Sequence, residues 1–192
     1  MSGRSTIVGG SSTILGGSCT FRANNVCRFS LCDIWEPWMP APYSGSCLCG
    51  QIKFELRLEP LTFYVCHCTT CQRRTGGAAL PVMWVRRADL HVLEGEPIML
   101  TFDFGRGRQR RSKACARCDT RLWAEPADQP DLAILRSGTL QNQSEFSPIA
   151  HIFTRSKQPW FLIPDGIPSF EGSVGEQEEL LRLWRERKMD GR

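Results

Sequence analysis

Three thiols fall within six residues in the stretch Cys66-His67-Cys68-Thr69-Thr70-Cys71, and a basic pair, Arg73-Arg74, follows directly. Sulfurs spaced this closely can converge on one metal ion. If Tyr64 to Cys68 runs extended, its side chains alternate, so Cys66 and Cys68 point to one side and His67 to the other. A turn through Thr69-Thr70 then swings Cys71 back toward the first two sulfurs and supplies three of the four positions of tetrahedral zinc. Two further pairs, Cys47-Leu48-Cys49 and Cys115-Ala116-Arg117-Cys118, stand at ligand spacing and together complete a Cys₄ set. The seven thiols thus divide into a closed four-ligand site, expected to be structural, and an incomplete three-ligand site, expected to be catalytic, with Zn²⁺ in each. Disulfides are the rival reading. Pairs at C-x-C and C-x-x-C spacing are poor long-range staples, and no N-terminal secretory segment marks an oxidising destination.

Zinc held by three thiolates carries a formal negative charge and is a poorer Lewis acid than zinc held by neutral histidines, so hydrolysis is not the first expectation. A soft fourth ligand suits the tripod better. An incoming thiol would lose its proton there and become the nucleophile that adds to an aldehyde carbon, or releases it in reverse. Arg73 and Arg74 are candidates to pair with a carboxylate of a peptide-like thiol, since guanidinium presents a bidentate fork, and Lys157 is a further candidate anion contact. Arg73 and Arg74 could equally be ordinary surface arginines. His67 reads as a structural histidine and the nearest candidate proton carrier, and His151 and Trp160 each as a core residue or one packed behind the site.

The elements that must position these groups are mostly strands. Gln51 onward alternates, with Ile52, Phe54, Leu56 and Leu58 on one face and Lys53, Glu55 and Arg57 on the other. Thr62-Phe63-Tyr64-Val65 carries the chain into the tripod, Gly76-Gly77 frees a sharp turn, and Ala78 to Val85 reads as a buried strand. Leu90 to Leu93, the alternating Ile98 to Phe104, Thr120 to Trp123 and Leu132 to Leu135 are further strands. The basic run from Arg106 to Lys113 falls on a hairpin arm leading to Cys115 and reads as a solvated strand face. Near the C terminus, Ser173 with Glu176 resembles a capping box, and Leu180, Leu181 and Trp184 share a helical face.

The 192 residues, 41% hydrophobic, are enough for one cored domain with tails. Residues 1–40, rich in Gly and Ser and lacking periodicity, read as a disordered tail whose Cys19, Cys27 and Cys32 are free thiols. Residues 41–172 are expected to form the zinc-binding domain and 173–192 a helical segment. The longest apolar run, Ala78 to Val85, is far short of the ~20 residues that span a bilayer, so a cytoplasmic protein is expected, with organellar targeting by the tail as the alternative. A net charge of +4 suits a small anion and falls short of a committed nucleic-acid binder.

Gly45-Ser46-Cys47-Leu48-Cys49-Gly50, Cys66-His67-Cys68 with Cys71 and Arg73, Cys115 with Cys118, Gly138-Thr139-Leu140, and His151-Ile152-Phe153 with Ser156-Lys157 and Pro159-Trp160 occur in this order. From about Ser44 to Phe170 the chain resembles the glutathione-dependent formaldehyde-activating enzyme family, whose relatives include centromere protein V. The resemblance implies a β-tent: a mainly β fold of antiparallel sheets held by a Cys₄ zinc, with a three-cysteine zinc at the active site and glutathione as the thiol substrate. The expected activity is a carbon–sulfur lyase of the S-(hydroxymethyl)glutathione synthase kind. The alternative is a non-catalytic zinc scaffold binding a protein, filament or nucleic acid through Arg106 to Lys113. Ala114 and Asp119 depart from the family's usual aromatic and glycine flanking the second pair. The position after a zinc knuckle often needs positive φ, which Asp tolerates better than most residues. Gln141 stands where an acid is common.

Overall fold

The computed structural model describes residues 41–103 and 109–189, the side chains of the last two excepted. Residues 1–40, with Cys19, Cys27 and Cys32, and residues 104–108, with Phe104, Arg106 and Arg108, lie outside the described residues. In chain order the elements are β1 (Tyr43–Ser46), β2 (Lys53–Leu56), β3 (Thr62–Cys66), α1 (Thr69–Thr75), β4 (Leu80–Arg86), β5 (Leu90–Glu94), β6 (Ile98–Asp103), β7 (Gln109–Ala114), β8 (Arg121–Glu125), β9 (Leu132–Arg136), β10 (His151–Ile152), β11 (Ser169–Phe170) and α2 (Gln177–Met189). They form a three-stranded sheet ordered β1-β2-β5 and an eight-stranded sheet ordered β11-β10-β3-β4-β9-β8-β7-β6.

Residues paired across neighbouring strands point to the same face of a sheet. Phe63, Met83, Leu135, Trp123 and Lys113 form one such row across the large sheet. This face meets the small sheet: Phe54 of β2 packs edge-on against Trp123, with ring centroids 5.8 Å apart. Phe54, Leu56, Met83, Leu135 and Trp123 are all buried, so the main core lies between the sheets. Gly45 of β1 stacks flat on Phe54, where an added Cβ would lie 2.2 Å from the ring.

The opposite face carries the rows Tyr64–Val82–Arg136 and Thr62–Trp84–Ile134–Ala124–Ser112. Helix α2 docks there through buried Leu180 and Trp184, and Thr62 Oγ1 donates to the Leu180 carbonyl at 3.1 Å. Its exposed side is tied by ion pairs of Arg182 with Glu179 and Glu186.

The alternating segments become strands as expected, with three differences. β10 pairs parallel with both β3 and β11, because the chain returns to the sheet after a long excursion instead of through a tight hairpin. Leu58 lies beyond the end of β2 and is 51% exposed, so the dry face stops at Leu56. α2 begins at Gln177, so Ser173 does not cap it; Ser173 instead lines a cavity described below. No helix among the described residues is long and apolar enough to cross a membrane.

Candidate functional site

Cys47 and Cys49 lie on the turn after β1, and Cys115 and Cys118 on the turn between β7 and β8. Each turn is built to aim its sulfurs: the Ile52 amide donates to Cys47 Sγ at 3.3 Å, Gly50 adopts φ 74°, and the Asp119 amide closes on the Cys115 carbonyl at 3.0 Å. Leu48 N donates to Thr120 Oγ1 at 3.1 Å, joining the two turns directly. All four sulfurs lie within 4.8 Å of one another, with Cys47–Cys49 at 3.5 Å and Cys49–Cys115 at 3.7 Å. Zinc–sulfur bonds of ~2.3 Å in a tetrahedron imply edges of about 3.8 Å, so this donor set fits such an ion. Asp119 takes φ 55°, the left-handed conformation anticipated after the knuckle. Asp119→Gly should therefore raise stability by about 0.5–1 kcal/mol, readable as a higher thermal midpoint of the metal-loaded protein.

The tripod sits at the junction of β3 and α1. Cys66 ends β3; Cys68, extended at φ −64° and ψ 147°, is the N-cap of α1 and accepts the Cys71 amide at 3.4 Å; Cys71 follows in the first turn. A seven-residue helix thus stands where the sequence reading places a turn, and Gly76 at φ 68° ends it. The three sulfurs lie within 4.8 Å of one another. Hydrogen bonding from Cys66 and Cys71 pulls the Cys68 thiol down to about 2, while the same sharing pushes Cys66 up. Three sulfurs at this separation are a donor set that a soft divalent ion takes.

His67 points away from the sulfurs, as alternation requires, and is fully buried. Its Nε2 lies 2.8 Å from His151 Nδ1, so one ring donates and the other accepts. Gln72 Nε2 and Ser156 Oγ both donate to the His67 carbonyl, at 2.7 and 3.0 Å. Burial, then the neighbouring His67, holds His151 down to about 4. A histidine near 6.5 when unfolded takes up its proton first in the unfolded chain, so this pair's stabilisation is complete above pH ~6.5 and is lost as pH falls toward 4. The acid loss should be on the order of 3 kcal/mol in urea unfolding between these limits, and flatter in His151→Asn, which keeps an acceptor in place of Nδ1.

A cavity of about 790 Å³ opens beside the tripod, lined by Cys66, Cys68 and Cys71 together with Tyr64, Trp84, Arg110, Ile134, Arg136 and Leu180 among others. Trp84 Nε1 donates to the Tyr64 hydroxyl at 2.9 Å, which fixes the floor. Neither Arg73 nor Arg74 lines this space; both border a separate 530 Å³ hollow with Leu100, Phe102 and Arg121. Arg74 donates to Ser112 Oγ at 2.9 Å. Lys157 is also placed elsewhere, its ammonium donating to the carbonyls of Gln158 and Phe161 at 3.2 and 2.8 Å. Trp160, expected in the core or packed behind the site, is 70% exposed; Phe161 instead packs edge-on against His67. The cations that do face the tripod cavity were not singled out by sequence. Arg110 belongs to a run that reads as solvated, and Arg136 follows the apolar Leu132 to Leu135. Its position two residues after Ile134 was the available signal, since period-two alternation puts both on one face.

The chain belongs to the glutathione-dependent formaldehyde-activating enzyme family, whose model matches residues 42–156, more than half its length. Among solved structures it is similar to a Rhodobacter sphaeroides protein determined as a structural-genomics target, at 18% identity and a TM-score of 0.43, covering 66% of this chain and 98% of that one. No curated protein matches the chain.

Proposed function

We propose that the chain makes and breaks the bond between the sulfur of glutathione, or a similar thiol, and the carbon of a small aldehyde such as formaldehyde, as a zinc-dependent carbon–sulfur lyase. The observation that carries this reading is the three-thiol cluster opening onto a large cavity while a separate four-thiol set is complete in itself. Family membership supports glutathione and formaldehyde as the substrate classes. A zinc ion held by Cys66, Cys68 and Cys71 would supply a soft position at which an incoming thiol loses its proton. In the forward direction the sulfur lone pair forms the new bond to carbon, the carbonyl π pair moves to oxygen, and the proton lost by the thiol ends on that oxygen. Leu80, Val82, Trp84 and Ile152 give the cavity apolar walls that limit water around the reacting atoms.

The scaffold reading draws less support, because Arg110 of its basic run faces the cavity. Two-dimensional exchange NMR with labelled formaldehyde and glutathione measures interconversion directly, apart from the uncatalysed adduct yield. The zinc-loaded protein should accelerate exchange. No acceleration with any of several thiols and aldehydes would exclude the lyase reading.

A further inference from the structure

We propose that Arg136, with Arg110 on the same cavity lining, is the specificity-determining residue that holds a carboxylate of the incoming thiol. This rests on the thiol reading above and adds which residues of the chain hold its carboxylate. Arg136 closes β9 opposite Val82, in the row that contains Tyr64, and lines the cavity with only 8% of its surface exposed. Its Nη1 is buried without a hydrogen-bond partner, and among the described residues its guanidinium forms no ion pair. A buried, unpaired guanidinium is expensive, so a fold that keeps one at the wall of a cavity is poised for an anion to enter.

Charge in the surroundings points the same way. Burial, then Arg74, pushes Arg136 down to about 10 against the pull of Cys71, with Arg110 and Arg121 adding to the push; of these cations Arg110 shares the cavity lining. The thiolates of the tripod are the nearest counter-charge, but three thiolates around a divalent ion would leave one net negative charge against the two arginines on the lining. A carboxylate removes the surplus and matches the guanidinium fork with two parallel hydrogen bonds. Among the described residues Asp128 is the one acidic residue on the cavity lining; it is exposed and offers the opposite sign to the ammonium of an amino-acid thiol.

Titration calorimetry on the full-length, metal-loaded protein separates the parts with three probes: S-methylglutathione, which has carboxylates and no free thiol; cysteamine, which has a thiol and no carboxylate; and glutathione itself. Arg136→Met should weaken S-methylglutathione by about tenfold or more, the scale of a lost charge-assisted contact, and leave cysteamine within about twofold. It should also raise the urea midpoint, since an uncompensated buried charge is removed, whereas loss of a merely structural arginine would lower it. Arg136→Lys should recover binding only in part, and Arg110→Met should weaken S-methylglutathione too, which carries the test if Arg136→Met does not fold. Equal S-methylglutathione affinity in wild type and variants, or none in the wild type, overturns the subsite; if cysteamine and glutathione still bind, the lyase reading stands. Arg136-dependent S-methylglutathione binding without any acceleration of thiol–aldehyde exchange supports the subsite and removes the lyase reading instead.

Discussion

Cys68→Ser should give a folded protein that no longer accelerates thiol–aldehyde exchange, a loss on the order of 10²-fold or more that returns the reaction to its uncatalysed rate. Cys68 is the least buried of the three tripod cysteines and caps α1 from outside the main core. Serine keeps a side-chain acceptor for the Cys71 amide, so the cap survives while the soft donor does not. Metal analysis of the purified variant should show one ion fewer than wild type, with the far-ultraviolet dichroism and thermal transition little changed. A variant that retained full acceleration would detach the chemistry from the tripod, and one that unfolded would assign the tripod a structural role.

Cys115→Ser should instead collapse the fold. Cys115 is 2% exposed, its sulfur is 3.7 Å from that of Cys49, and its amide closes on the Thr120 carbonyl at 3.0 Å. The four-thiol set joins the small sheet, through the turn after β1, to the large one, through the turn between β7 and β8. Structural zinc in small domains contributes roughly 10–16 kcal/mol, as much as or more than the ~5–15 kcal/mol of net stability of a typical domain. Losing one of four ligands should therefore remove the cooperative thermal transition near neutral pH, and Cys47→Ser should do the same. Equal thermal losses for Cys68→Ser and Cys115→Ser would end the distinction between the two sets.

The division of seven thiols was legible because ligand spacing is a local property: C-x-C, C-x-x-C and the tripod each fit within a single turn. Asp119 was legible for the same reason, since the backbone demand of a knuckle is written within a few residues. Strand faces could be read wherever one side is dry, as at Ile52, Phe54 and Leu56. Alternation from Ile134 gives the face of Arg136 but not its burial, which follows from the place of β9 between β4 and β8 and is not written in its neighbours in sequence. Arg110 was hidden inside a basic run whose members alternate between the two faces, so composition averaged a cavity wall with a surface. The two-residue strand β10 leaves no periodic trace, and its parallel pairing is invisible without the register of Val65 with His151.

That pairing has a kinetic consequence. β3 meets β4 through a local connection, with Cys66 opposite Leu80, but its other edge waits for His151 and Ile152. The hydrogen bonds that lock the tripod from behind, Gln72 to Ser156 and Ser156 to His67, span 84 and 89 residues. Contacts so distant in sequence bear a large loop-closure entropy and form late in folding. The three thiols are therefore brought together by the β3–α1 turn long before their backing is in place. In the growing chain they can meet a metal ion, or an oxidant, while the segment that seals them is still to come.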